Sequence, residues 1–122
     1  MKEKILVIDD EIEVCKLLKD FLVKQGYEVT TATSAQEGIE KLKTEKPKVI
    51  LLDIKMPGMD GVEAIKRIRE IDKGVGIIMA TAVLDEKIAQ ETVKLGASDY
   101  IVKPFDLEYM EKSLLVKLAS LA

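Results

Sequence analysis

A length of 122 residues and a formal net charge of −3 indicate one domain without the basic face that nucleic-acid binding requires. No apolar run approaches the roughly 20 residues needed to cross a bilayer, and the apolar run after the charged N-terminus is too short for a signal peptide. The chain has no histidine, which excludes Ser-His-Asp catalysis and His-ligated metal sites. The single cysteine, Cys15, is expected to be a small buried residue, which suits a cytoplasmic protein.

Short apolar runs alternate with longer amphipathic segments, which predicts five strand–helix units. The predicted strands cover residues 3–8, 28–32, 48–53, 77–80 and 99–102. The predicted helices cover residues 12–24, a segment from 35 to about 45, a segment after the Pro- and Gly-rich loop 56–61, about 85–95, and a segment that begins near 106. Ser34 is expected to cap the second helix, and Glu37, three residues later, completes a capping box.

Each predicted helix has an apolar face that is expected to pack against the sheet. In chain order, these faces are Val14, Leu17, Leu18 and Phe21; Ala35, Ile39 and Leu42; Ala64, Ile65, Ile68 and Ile71; Ile88, Thr92 and Leu95; and Leu107, Met110, Leu114, Leu118 and Leu121. The fourth face is the thinnest, so the fourth helix is expected to be the most mobile.

Repeated strand–helix units predict an α/β domain with one parallel sheet, helices on both faces and right-handed crossovers. The first, third and fourth strands are continuous apolar runs, as expected of central strands that are buried on both faces. The second strand is more polar and the fifth is short, so these two are expected at the edges. The predicted strand order is therefore 2-1-3-4-5, and the order reverses between strands 1 and 3.

Acidic residues follow two strands that are predicted to be neighbours. Asp9 and Asp10 come after the first strand, and Asp53 is the last residue of the third. Parallel α/β sheets bind ligands at the carboxyl ends of their strands, near the switch in strand order. Two carboxylates about 4 Å apart repel by about 4 kcal/mol at an effective dielectric of 20, so three together favour a bound cation. Oxygen ligands of this kind favour Mg²⁺, together with waters and a phosphate oxygen.

Two further polar residues end the remaining strands at the same predicted edge. Lys103 precedes Pro104, which holds its backbone extended, and its ammonium could meet a phosphate oxygen. Thr81 follows the fourth strand and has a hydroxyl to donate. Taken singly, each of these polar residues could be a helix cap or a solvated surface group. Their arrival together at four strand ends favours a site that binds a cation and a phosphoryl group.

Four segments resemble the signature segments of response-regulator receiver domains of bacterial two-component signalling: IDDE at 8–11, LDIKMPGMDG at 52–61, MATA at 79–82 and YIVKPF at 100–105. The resemblance extends over essentially the whole chain. It implies a doubly wound (βα)5 flavodoxin-like three-layer sandwich and a single receiver domain over residues 1–122.

The resemblance also implies a role for each acidic residue. Asp53 would be the phosphoacceptor. Asp10, Asp53 and the backbone carbonyl of Lys55 would be ligands of Mg²⁺ (or Mn²⁺), and Asp9 would act mainly through a metal-bound water.

The phosphoryl-binding and switch residues are implied in the same way. Thr81, Ala82 and Lys103 would bind the phosphoryl group. Thr81 and Tyr100 would form the switch, with Tyr100 filling the space that Thr81 leaves. The Lys103–Pro104 peptide bond would be cis.

The implied function is acceptance of a phosphoryl group from a phosphohistidine on a sensor histidine kinase or phosphotransfer protein. The surface of helix 4, strand 5 and helix 5 would then act on a downstream effector or form a homodimer. The domain would not be an enzyme beyond its own phosphorylation and slow self-dephosphorylation, and it would contact neither nucleic acid nor membrane. The chain is either a single-domain regulator or the N-terminal piece of a larger one.

Two alternatives differ in their chemistry. A receiver-like binding module that works without phosphorylation typically lacks one or more pocket residues, whereas this chain keeps all of them. A small phosphatase of the haloacid-dehalogenase type needs a second aspartate two residues after its nucleophile. Lys55 occupies that position here, so this second alternative is the weaker one.

Overall fold

The computed structural model describes residues 3–54, 58, 61–81, 86–103 and 106–121, and in these ranges five strands alternate with five helices. The strands are β1 (Lys4–Ile8), β2 (Glu28–Ala32), β3 (Val49–Leu52), β4 (Gly76–Thr81) and β5 (Asp99–Val102). The helices are α1 (Ile12–Lys24), α2 (Ala35–Glu45), α3 (Gly61–Ile71), α4 (Glu86–Lys94) and α5 (Leu107–Leu121). The predicted elements are confirmed in type and order, with small shifts at their ends.

All strand pairings are parallel, and the sheet order is β2-β1-β3-β4-β5, as predicted. Ile8, at the end of β1, pairs with Ala32 of β2 and Leu52 of β3. Thr81, at the end of β4, pairs with Val102 of β5. The carboxyl ends of the strands therefore form one edge, and the switch in strand order lies between β1 and β3.

The hydrophobic core has two parts, one on each face of the sheet. Leu6 and Ile8 of β1 belong to the cluster that contains Ala35 and Leu42 of α2 and the buried apolar residues of α3. Ile5 and Val7 face the cluster that contains those of α1 and α5. Because successive residues of a strand point to opposite faces, this alternation places the sheet between two helical layers. The three-layer sandwich is confirmed.

Two residues predicted to face the core are instead at the surface. Leu17 of α1 is 53% exposed, and Ile71, the last residue of α3, is 41% exposed. The buried face of α1 consists of Cys15, Leu18 and Leu22. Leu18 lies three residues after Cys15 and four before Leu22, so it shares their face of the helix, whereas Leu17 points away from it. Cys15 is buried, as predicted.

The start of α2 forms the predicted cap with one altered partner. The Ser34 hydroxyl accepts a hydrogen bond from the Glu37 amide at 3.1 Å, as in a capping box. The Glu37 carboxylate reaches back to the amide of Thr33, at 2.8 Å, one residue earlier than the usual pattern. Both bonds satisfy amides at a helix start.

Among the helices of the described ranges, none is long and apolar enough to cross a membrane.

Candidate functional site

Two buried aspartates stand at the switch in strand order. Asp9 and Asp53 follow β1 and β3 directly and are 2% and 5% exposed. The Asp9 amide donates to the carbonyl of Ala32, and the Asp53 amide donates to that of Ile8, each at 3.0 Å. These bonds continue the strand ladders by one residue, so the sheet itself fixes where the two carboxylates begin.

Four carboxyl groups converge at this edge. Ligand oxygens of Asp9, Asp10, Glu11 and Asp53 all lie within 4.8 Å of one another. Sequence reasoning assigned no role to Glu11; its presence in the IDDE segment was the only available signal. A cluster made of carboxylate oxygens suits a hard divalent cation such as Mg²⁺, which prefers oxygen ligands and retains several waters. The partial exposure of this cluster, through Asp10 and Glu11, leaves room for those waters.

Lys103 supplies the positive charge of the site. Its Nζ atom lies 2.5 Å from Asp9 Oδ2, 3.4 Å from Asp53 Oδ2 and 3.4 Å from Glu11 Oε1. The Lys103 side chain is only 10% exposed. Its backbone amide donates to the carbonyl of Thr81 at 2.7 Å, which fixes the end of β5 against the end of β4. The predicted meeting of Asp9, Asp53 and Lys103 is observed.

The electrostatics of the site follow from this burial. Desolvation by burial is the largest influence on the pKa of Asp9 and raises it, and the neighbouring Asp53 raises it a little further. The hydrogen bonds from Lys103 and from the Glu11 amide lower this pKa, but the net shift is upward. For Lys103, burial by itself lowers the pKa, but the hydrogen bond to Asp9 and the charges of the three carboxylates raise it above its usual value. Lys103 is therefore charged at neutral pH, and its one ammonium faces three carboxyl groups.

Thr81 and Tyr100 lie on the same face of the sheet. Thr81 is fully buried at the end of β4, two residues after Met79. Tyr100 pairs with Met79 in the sheet and packs, partly buried, against the core cluster that contains Met79. Since residues two apart on a strand share a face, Thr81 and Tyr100 both face the layer that contains α4. The two predicted switch residues are thus on neighbouring strands of one face.

Three predicted site features fall outside the described residues. They are the backbone carbonyl of Lys55, the contribution of Ala82 and the cis peptide bond at Pro104.

A family model of the response regulator receiver domain matches residues 5–115, a range that contains the acidic cluster, Thr81 and Lys103. The chain belongs to the response-regulator receiver family. This receiver domain is 42% identical over 106 residues to the chemotaxis protein CheY of Thermotoga maritima. The aligned region covers 86% of this chain and 88% of that protein. The predicted resemblance is confirmed.

Solved structures agree with this assignment. A CheY-like receiver domain from Methanospirillum hungatei matches the receiver domain with a TM-score of 0.95 at 30% identity, over 99% of this chain and 97% of that one. A chain of the CheX–CheY–BeF3–Mg²⁺ complex from Borrelia burgdorferi matches with a TM-score of 0.89 at 29% identity, over 93% and 87%. The receiver domain is therefore a signalling domain of two-component phosphorelay systems.

Proposed function

We propose that Asp53 is the phosphoacceptor of this receiver domain and that a phosphohistidine on a partner protein is the donor. The observation that carries the proposal is the position of the Asp53 carboxylate. It lies at the end of a central strand, is nearly buried, belongs to the acidic cluster and has the Lys103 ammonium at 3.4 Å. Since the chain has no histidine, the donor histidine belongs to another molecule, a sensor kinase or a phosphotransfer protein.

The transfer is a single displacement at phosphorus. An Asp53 oxygen forms the new O–P bond as the P–N bond to the partner imidazole breaks, and the leaving imidazole keeps the electron pair and takes up a proton. The product is an acyl phosphate, which water later hydrolyses. Lys103 stays charged and turns from the carboxylates toward a phosphoryl oxygen, so that its pairing with Asp53 is replaced by pairing with the modified group.

Asp9, Asp10, Asp53 and the carbonyl of Lys55 would hold Mg²⁺ or Mn²⁺. When bound, this cation neutralises charge on the phosphoryl oxygens. Buried Asp53 and exposed Asp10 would offer oxygens directly, whereas buried Asp9 would act mainly through a metal-bound water. The acidic cluster, with its oxygen-only ligands, supports this assignment.

Readout starts at Thr81, whose hydroxyl bonds the phosphoryl group next to the amide of Ala82. The inward turn of Thr81 opens space on the face that it shares with Tyr100, and Tyr100 moves into it. This is a shift between two packings that the new charge biases.

The partner surface comprises α4, β5 and α5. In the described ranges, the exposed apolar residues of α4 and α5 include Val93, Tyr109 and Val116. We assign this surface to a downstream effector, a further domain or a second copy of the chain. We also propose that residues 1–122 form one receiver domain that acts in the cytoplasm and contacts neither nucleic acid nor membrane.

The proposal is tested with radiolabelled acetyl phosphate and Mg²⁺. Wild-type protein should gain acid-labile phosphate, as expected of an acyl phosphate, and the Asp53→Asn variant should gain none. Asp20→Asn, which changes an exposed aspartate of α1, is the matched control and should label like wild type. Undiminished labelling of Asp53→Asn would remove the assignment, and an unlabelled wild type would favour a phosphorylation-independent binding module.

A further inference from the structure

The side chain of Arg69 donates hydrogen bonds to backbone carbonyls of two separate connections. It lies in the last turn of α3 and is half-buried. Its Nη1 atom donates to three carbonyls of the connection between α3 and β4: Asp72 at 3.4 Å, Lys73 at 3.2 Å and Val75 at 2.6 Å. One side of the guanidinium is thus fixed by the start of β4.

The other side of the same guanidinium holds the end of α4. Nε donates to the carbonyl of Leu95 at 3.3 Å, and Nη2 donates to that of Gly96 at 3.0 Å. Carbonyls at the end of a helix lack partners within the helix and carry its negative dipole, so a cation there is favourable. Only a planar group with several N–H donors can serve both connections together.

The α4–β5 turn is shaped to receive this group. Gly96 has φ +100°, and the amides of Gly96 and Ala97 donate to Val93 and Thr92, each at 2.9 Å, which is a Schellman ending. A Cβ atom at Gly96 would lie 3.0 Å from Nε and Nη2 of Arg69. Ser98, two residues after Gly96, donates two hydrogen bonds to the Ile77 carbonyl of β4, from its amide at 2.8 Å and from its hydroxyl at 3.1 Å.

α4 itself meets the core through a thin face. Within Glu86–Lys94, Thr92 is the one buried residue, and its hydroxyl bonds Ala89 of the same helix. Ile88 and Leu95 are only partly buried against the core. The helix therefore has a strongly fixed C-terminal end, and its N-terminal end is the first part of the element that follows Thr81.

We propose that Arg69 is a positioning residue that makes the C-terminal end of α4 the fixed pivot of the phosphorylation response. The inference rests on the proposed function. The motion that begins at Thr81 is then largest at residues 86–90 and vanishes at residues 95–98. The pivot also keeps the start of β5 in register, so that Tyr100 can move without displacing its strand.

The test is amide hydrogen exchange followed residue by residue, with and without BeF3⁻ and Mg²⁺ as a stable mimic of the phosphoryl group. Wild type should show a graded change, large at residues 86–90 and absent at 95–98. In Arg69→Gln, residues 95–98 should exchange at least about tenfold faster in the free state, the equivalent of one lost hydrogen bond. The BeF3⁻-induced change should then spread to residues 95–98.

Arg67→Gln is the matched control, because Arg67 lies on the same helix, is 51% exposed and contacts Glu63 of its own helix at 3.6 Å. It should keep the wild-type gradient. Arg69→Lys retains the charge but cannot donate to both connections, so it should behave like Arg69→Gln. It replaces Arg69→Gln in the test if that variant does not fold. A lower melting temperature alone would not move the gradient, so this readout separates positioning from plain stabilisation.

The outcomes separate the pivot from the proposed function. If BeF3⁻ and Mg²⁺ change no exchange rate anywhere in wild type, the proposed function fails. If residues 95–98 of wild type change as much as residues 86–90, the pivot is wrong and the proposed function stands. An unaltered gradient in both folded Arg69 variants would also overturn the pivot.

Discussion

The ammonium of Lys103 lies 2.5 Å from a carboxylate oxygen of Asp9, so the residues that directly follow the first and last strands of the chain are joined across the carboxyl edge of the sheet. The same ammonium also lies 3.4 Å from Asp53. One lysine therefore partly neutralises the carboxylate that we propose as the phosphoacceptor before any cation or phosphoryl group is present.

Lys103→Met should destabilise the metal-free protein by about 3 kcal/mol, because removal of one partner of a buried ion pair leaves uncompensated charge. Added Mg²⁺ should recover part of the loss. Urea unfolding in EDTA and in Mg²⁺ measures both effects. Lys43→Met removes an exposed lysine that pairs with Glu40 at 3.8 Å and should change little. Equal losses in the two variants would contradict the role of burial.

Asp9→Asn should stabilise the metal-free protein at neutral pH by on the order of 1 kcal/mol, the scale of a single substitution at such a site. The carboxylate is desolvated and lies beside Asp53, and both effects disfavour its charge. Mg²⁺ should stabilise wild type more than the variant, because the variant loses one of the acidic groups. Unfolding curves with and without Mg²⁺ decide this. A variant less stable than wild type in EDTA would contradict the account.

Thr81→Val should keep the phosphate labelling within about tenfold of wild type but should lose most of the response of the α4–β5–α5 surface. The substitution removes the hydroxyl from a fully buried position without a large change of shape. The measurement compares BeF3⁻-induced changes in amide exchange with acetyl phosphate labelling of the same sample. Thr30→Val, on the edge strand β2, is the control and should retain both. Loss of labelling in Thr81→Val with an intact surface response would reverse the assigned role.

Glu37→Gln should lower stability at neutral pH but not at low pH. The bond from the Thr33 amide is the largest cause that lowers the pKa of Glu37 below its ordinary value. A lowered folded-state pKa adds stability above the unfolded-state pKa, and this contribution disappears as the pH falls through the folded-state value. The difference between wild type and variant should therefore shrink below about pH 4.5. Unfolding followed from pH 7 to pH 3 tests this, with Glu40→Gln as the exposed control. A difference that is independent of pH would contradict it.

The sequence predicted the central part of the site well because strand ends are easy to read and their spatial meaning is fixed. Asp9, Asp53, Thr81 and Lys103 each follow an apolar run directly. Once the runs form one parallel sheet, these residues must share its carboxyl edge. The strand order followed from the polarity of β2 and the shortness of β5.

Other features had weaker signals. Periodicity alone did not separate Leu17 from Leu18 as the inward residue of α1. The predicted apolar face of this helix included exposed Leu17 and omitted buried Leu22. The approach of Glu11 to Lys103 depends on a side chain in a connection, which no periodicity describes. The contacts of Arg69 could not be predicted, since their acceptors are backbone carbonyls that every sequence contains.

The central claim is the identity of the phosphoacceptor, and it can be measured at the modified atom. Protein labelled with acetyl phosphate and Mg²⁺ is treated with borohydride, which reduces an aspartyl phosphate to homoserine, and its peptides are sequenced by mass spectrometry. The account predicts homoserine at position 53 and intact aspartate at positions 9 and 10. Homoserine at position 9 or 10, with unmodified Asp53, would contradict it.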